Sequence, residues 1–250
     1  MKNIGYILLL IVCFGCSSES AWDCVQTSGT IVSQTVEADF FHRIQIENEV
    51  ELILRQGSEA SITIETGENL LSAVSVTVVD ETLIIVNTNT CNLVRDYAPV
   101  RAYVTVSNLT QIRNSSIYPV RSEGVLAFES LRLLSNTSGT ASIARKSGDF
   151  YLQLDNEELI ISANGQSVFY LDGNVRRGRF VFTDEFPRLE GANLLVDTLQ
   201  IQQRSANKMI INPQRELRGV IQGVGDVVSH NRPEVVEIEE LYTGRLIFLD

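Results

Sequence analysis

Arg43-Ile44-Gln45-Ile46-Glu47-Asn48-Glu49-Val50-Glu51-Leu52-Ile53-Leu54-Arg55 decides the fold class. Ile44, Ile46, Val50, Leu52 and Leu54 share one side of a period-two pattern, while Arg43, Gln45, Glu47, Glu49, Glu51 and Arg55 take the other. A strand sends successive side chains to opposite faces, so the stretch reads as two half-buried strands with Glu47-Asn48-Glu49 as the bend. The same alternation recurs at Ile62 and Ile64, at Val74, Val76 and Val78, at Leu83 and Ile85, and at Ala102, Val104 and Val106. Gln56-Gly57-Ser58 and Val79-Asp80-Glu81 supply turns.

Towards the C-terminus the alternation comes in shorter pieces, among them Phe150, Leu152 and Leu154, Phe180 and Phe182, and Leu246 and Phe248. Only Glu68-Asn69-Leu70-Leu71 reads as a turn of helix. Between the strands a small-residue token recurs: Asn114-Ser115-Ser116, Ser138-Gly139-Thr140, Asn164-Gly165-Gln166-Ser167, Glu190-Gly191-Ala192-Asn193, Arg204-Ser205-Ala206-Asn207 and Gln222-Gly223-Val224-Gly225. Short strands separated by such tokens predict an all-β, right-handed β-helix-like solenoid, in which each coil covers the apolar face of the last and small residues let the backbones approach at the corners. A β-sandwich is the alternative for the first hundred or so residues.

The N-terminus carries an export signal. Lys2 precedes an apolar run from Ile4 to Phe14 that is too short for a bilayer span, which takes about 20 apolar residues. Cys13-Phe14-Gly15-Cys16 resembles a bacterial lipobox, which makes residues 1–15 a lipoprotein signal peptide and Cys16 the lipidated first residue of the mature chain. An ordinary cleaved signal with an unmodified Cys16 is the alternative. Multiple acyl chains on one residue suffice for stable anchoring. With Cys13 removed and Cys16 acylated, Cys24 and Cys91 remain, and an oxidising compartment favours a disulfide between them over two buried thiols. Neither has the spacing or the His partners of a zinc site.

The chain has Lys+Arg 20 against Asp+Glu 31, and loss of Lys2 takes the net charge from −11 to −12. That balance argues against nucleic acid as a partner, because phosphate neutralisation needs a Lys and Arg surplus. An apolar fraction of 44% is enough for a real core.

Several of these patterns together resemble a known family. Phe41-His42-Arg43-Ile44-Gln45-Ile46, Val50-Glu51-Leu52 before Gln56-Gly57, Gly67-Glu68-Asn69-Leu70-Leu71 and Leu83-Ile84-Ile85 are followed by Ser162-Ala163-Asn164-Gly165 and Glu190-Gly191-Ala192-Asn193. Gly223-Val224-Gly225-Asp226-Val227 and Arg232-Pro233 close the pattern. Over about residues 36–230 the chain resembles the family described as putative auto-transporter adhesin, head GIN domain, found in lipoproteins of the Bacteroidetes. The resemblance implies a β-helical fold and, by analogy, adhesion; it carries over no catalytic residues. The resulting organisation is a signal peptide at 1–15, a lipidated N-terminus and linker at 16–35, a GIN-type solenoid at 36–230 and closing strands at 231–250.

Candidate chemistry is sparse. His42 and His230 stand in no metal or nucleophile spacing and read as structural. Asp155, Glu157 and Glu158, or Asp184 and Glu185, could serve a β-helical glycosidase or lyase, which needs two carboxylates across the scissile bond; as acids of turn-like sequence in an acidic protein, their default reading is solvated turn residues. Gly223-Val224-Gly225-Asp226 is one imperfect copy of a calcium nonapeptide, and a corner turn needing positive φ accounts for its glycines. Arg176, Arg177 and Arg179 form the one basic cluster, able to grip an anionic sugar or a lipid headgroup, or else to line a solvated hairpin turn. Phe180 and Phe182 share one strand face and read as core, whereas Tyr151, out of phase with Phe150 and Leu152, is the better exposed aromatic. There is no phosphate loop, nucleophile elbow or H-E-x-x-H motif.

The expectation is a non-enzymatic cell-envelope lipoprotein, an adhesin or surface binding module held to the outer membrane by its lipid. It takes no cofactor or metal, and glycan or envelope protein is its partner. Tyr151, Arg176, Arg177 and Arg179 are the candidate ligand-binding residues. The alternative is a polysaccharide-active β-helical enzyme using turn carboxylates.

Overall fold

The computed structural model describes residues 27–89, 99–138 and 145–249. The signal peptide, Cys16 and the pairing of Cys24 with Cys91 lie outside the described residues.

Alternation becomes strand throughout. The N-terminal part forms β1 (Ile31–Val36), β2 (Arg43–Asn48), β3 (Val50–Gln56) and β4 (Ser61–Gly67), then a 3-10 turn at Glu68–Ala73, β5 (Val74–Val79) and β6 (Thr82–Asn87). The chain continues through β7 (Val100–Val106), β8 (Gln111–Ser116), β9 (Val120–Leu126) and β10 (Ser130–Ser135). Four long strands follow, β11 (Phe150–Ala163), β12 (Val168–Phe182), β13 (Arg188–Gln203) and β14 (Met209–Ile221), and then β15 (Val227–Ser229), β16 (Val235–Glu240) and β17 (Leu246–Phe248). All 17 belong to one sheet, which curls nearly closed in the manner of a barrel around one core.

The deciding stretch does contain two strands bent at Asn48, whose φ is 63°. β2 and β3 do not pair with each other, however. β2 pairs in parallel with β6 and β8, and β3 with β7 and β9. The two strands lie on different faces around the same core. Antiparallel pairs are confined to the N-terminal end, where β1 meets β4, β4 meets β7 and β5 meets β6. From β8 onward every described pairing is parallel.

Parallel pairing in register stacks like on like. Val120, Phe150, Phe169, Leu189, Met209, Val227 and Leu246 form one inward column, in which Val120 precedes Phe150 by 30 residues and the later members follow one another at intervals of 18–20. Phe150 and Phe169 stack at 4.7 Å and 8° in this column, a contact worth about 0.5–1.5 kcal/mol beyond area burial. Phe180 and Phe182 are core, as their phase requires.

Each long strand turns a corner midway, and its burial pattern records where. In β11 the buried positions are Phe150, Leu152, Leu154 and Asn156, and then Leu159, Ile161 and Ala163, so the phase flips at Glu157-Glu158. Asn156 lies inside this corner and donates through Nδ2 to the carbonyl of Phe128 at 2.6 Å. The tokens Asn164–Ser167, Arg204–Asn207 and Gln222–Gly225 occupy the opposite corner, where the Ser135 and Ser167 hydroxyls meet at 2.6 Å. Gly225 has no positive φ, which corrects the sequence expectation. Its requirement is proximity: a Cβ there would stand 2.0 Å from the carbonyl oxygen of Asn207 on the coil before. Gly219 needs both freedoms, with φ at 139° and a Cβ position 1.9 Å from the carbonyl oxygen of Ile201.

Candidate functional site

The winding gives the molecule two outer faces and two ridges. The first face is built on β3, β7, β9 and the N-terminal halves of β11–β14. The second is built on β2, β8, β10 and the C-terminal halves of those strands. Tyr151 is on the first face, Arg177 and Arg179 are on the second, and Arg176 lies on the ridge between them. The four candidates therefore do not form one site.

On the first face the register aligns Tyr103, Ile53, Arg121, Tyr151 and Tyr170 across successive strands. Tyr151 and Tyr170 stack at 4.6 Å and 6°, and the Arg121 guanidinium sits 4.2 Å from the Tyr151 ring centre on the opposite side. Arg121 is held by Glu51 at 3.1 Å, and the Tyr151 hydroxyl donates to Asp149 at 3.4 Å. Burial, foremost, and the Asp149 carboxylate push the Tyr151 hydroxyl above its usual pKa. Both ring faces of Tyr151 are thus covered, so it offers a hydroxyl and an edge, not a stacking platform. Tyr170, 39% exposed, carries the outer ring of the pair.

On the second face, Arg132, Ile160, Arg179, Gln200, Arg218 and Glu237 form one outward column. Gln111 and Arg43 extend it towards the N-terminus. The parallel column of Ser130, Glu158, Arg177, Thr198 and Glu216 runs beside it. Between them lies a depression of about 390 Å³ bordered by Glu158, Arg177, Arg179, Gln200, Glu216 and Arg218. Arg218 is engaged by Glu216 and Glu237. Arg177 approaches Glu157 only at 4.0 Å. Thus the basic cluster is not a hairpin turn but part of β12, because the corner of that strand is a change of burial phase without a break in pairing.

Arg132 and Arg121 escaped the sequence reading, since isolated arginines 47 and 30 residues from their structural neighbours Arg179 and Tyr151 announce nothing. The spacing of 19 or 20 residues visible in Phe150, Phe169, Leu189 and Met209 does not find them either, because Arg121 precedes its register partner Tyr151 by 30 residues and Arg132 precedes Ile160 by 28.

The acids lie on the ridges, apart from Glu158, which is beside the corner on the second face. Asp155 and Glu157 are at the mid-strand corner, inside β11 and not in a turn; Glu157 pairs with Arg176 at 3.0 Å, and on the next coils Asp197 pairs with Arg215 at 3.1 Å. Glu158 accepts from the Ser130 hydroxyl at 3.0 Å. Asp184 and Glu185 occupy the opposite corner, where Glu185 pairs with Lys146. The two acid groups do not converge. His42 packs just before β2 with Nδ1 3.2 Å from Glu81, and His230 is exposed at the end of β15. Among the described residues no cluster of three or more His, Cys, Asp or Glu could hold a metal ion, and no helix is long and apolar enough to cross a membrane.

A family model described as putative auto-transporter adhesin, head GIN domain, matches residues 40–233. The fold is similar to the crystal structure of a putative adhesin from Bacteroides fragilis NCTC 9343, with a TM-score of 0.78 at 16% identity over 88% of this chain and 97% of that one. It is also similar to a putative adhesin from Parabacteroides distasonis ATCC 8503, with a TM-score of 0.62 at 13% identity over 88% and 98%. A putative lipid binding protein from the same strain shares the fold at a TM-score of 0.58 and 12% identity, over 88% and 97%. Among curated proteins none matches the sequence.

Proposed function

Because this chain belongs to the family of putative auto-transporter adhesins with a head GIN domain, we propose that it is a non-enzymatic binding module of the cell envelope. The observation that supports this reading is the arrangement of the outer faces, where strand register carries charged and aromatic side chains in straight columns across successive coils. Such a face offers a partner many aligned contacts on a rigid support. Of the carboxylates that an enzyme would use, Asp155, Glu157 and Glu158 lie at or beside one corner and Asp184 and Glu185 at the opposite one, and Glu157, Glu158 and Glu185 each engage a local partner. We take the winding to be a right-handed solenoid, since crossovers between parallel strands of one sheet are overwhelmingly right-handed. In this reading residues 1–15 are the signal peptide, residues 16–35 tether the molecule through lipidated Cys16, residues 36–230 form the binding body and residues 231–250 close it. The anchor places the module on the outer membrane.

Purified full-length chain, applied to glycan arrays and to fractionated envelope proteins, is expected to bind at least one class saturably. Uniformly blank arrays would overturn the binding-module reading. For the anchor, Cys16→Ser is expected to move the protein from the membrane fraction to the soluble one, and persistence in the membrane would refute lipidation.

A further inference from the structure

We propose that the second face binds an extended anionic polysaccharide laid along the coil axis, with Arg132 and Arg179 as its principal contacts. The inference rests on the binding-module reading and names its ligand class.

Three observations carry it. First, Arg132 and Arg179 share one outward column and are separated by Ile160 alone, so they stand two strand spacings apart, about 9.6 Å. That is close to the length of one disaccharide in an extended β-linked polymer, so carboxylates recurring on every second sugar meet both arginines in turn. Second, both guanidinium groups are exposed and make no hydrogen bond or ion pair with another described residue, in a chain whose net charge is −11. Third, a further positive charge lies close to Arg132. Arg113, on the neighbouring strand β8, is buried and donates to Asn136 and Ser138, with no carboxylate among these partners. Burial, and then the Arg132 charge, hold the Arg113 pKa below its ordinary value.

The flanks suit a sugar chain. Thr198 and Gln200 lie beside Arg177 and Arg179 at the rim of the depression and present hydroxyl and amide groups to sugar hydroxyls. The column ends at the C-terminal side, where Glu216 and Glu237 consume Arg218, and this sets the limit of the bound segment. A membrane is the poorer fit, because Ile160 and Val181, the apolar side chains beside the two arginines on this face, are only half-exposed and offer a bilayer little to bury. A nucleic acid would need a denser set of cations than this column supplies.

The test uses the full-length chain with hyaluronan oligosaccharides, which carry one carboxylate per disaccharide, and with neutral dextran and phosphatidylglycerol vesicles as comparators. Hyaluronan is expected to bind, to weaken with added salt, and to lose roughly tenfold in affinity in the double variant Arg132→Gln, Arg179→Gln. Arg215→Gln, on the ridge, should bind as the parent does. Circular dichroism and thermal unfolding of the double variant should match the parent, since both side chains are exposed. Hyaluronan binding unchanged in the double variant overturns the inference, as does loss of vesicle binding without any polymer binding. A chain that binds other glycans or envelope proteins but not hyaluronan overturns it while leaving the binding-module reading in place. Blank results with every probe and array remove both.

Discussion

Tyr151 illustrates how a strand position can be outward without being open. Its ring is closed off by Arg121 on one side and Tyr170 on the other, and its hydroxyl faces Asp149. Burial is the largest influence raising its pKa above the usual 10, with the Asp149 charge next; Tyr103, in the same column, is raised chiefly by burial as well. A group whose folded pKa exceeds its unfolded value contributes stability that is fully present below the unfolded pKa and is lost as pH rises through the folded one. Stability should therefore fall above about pH 10, and the double variant Tyr103→Phe, Tyr151→Phe should fall less. Urea midpoints measured from about pH 9 to about pH 11 check this, and parallel curves for the two proteins would count against it.

At the level of elements, the turns and corners are where the chain departs from regular alternation. Asp80 and Glu81 link β5 to β6 with φ of 45° and 56°, the left-handed pair of a tight hairpin turn that asparagine and glycine occupy with least strain. Replacing them, Asp80→Asn with Glu81→Gly, should stabilise the protein by about 1 kcal/mol. The loss of the contact between His42 and the largely exposed Glu81 carboxylate offsets this only slightly, as such surface contacts contribute little. A rise in the denaturant midpoint at unchanged slope is the expected readout, and a fall would mean that the ion pair or the carboxylate itself matters more than the backbone. The ridge pairs of Glu157 with Arg176 and Asp197 with Arg215 are likewise exposed, and they serve more to align consecutive coils than to hold them.

For the molecule as a whole, β16 and β17 lie at one end of the sheet, where among the described residues β16 pairs only with β14 and β17 only with β15. β16 and β17 carry exposed apolar residues, among them Val235, Val236 and Ile247. An edge of that kind invites another chain to pair with it, and Glu237, Glu239 and Glu240 place negative charge where a second copy would dock. Glu237→Thr with Glu239→Thr should shift the protein towards larger species in light scattering. An unchanged mass would show that the edge is protected by something other than charge.

Much of this molecule is legible in the order of its residues. Period-two burial, a local consequence of strand geometry, identified the strands from Arg43 to Arg55 and assigned Phe180 and Phe182 to the core. The small-residue tokens at Asn164–Ser167, Arg204–Asn207 and Gln222–Gly225 marked corners, because backbones meet there, whereas Glu190–Asn193 lies inside β13. Membership of the family was likewise carried by strand and turn patterns. What only the tertiary structure decided was which strands became neighbours. Register brought Arg132 into one column with Arg179, on either side of Ile160, and Arg121 onto Tyr151, and it separated Tyr151 from Arg177. These outcomes depend on coil length and corner position, which accumulate over the whole chain and cannot be read from any one strand.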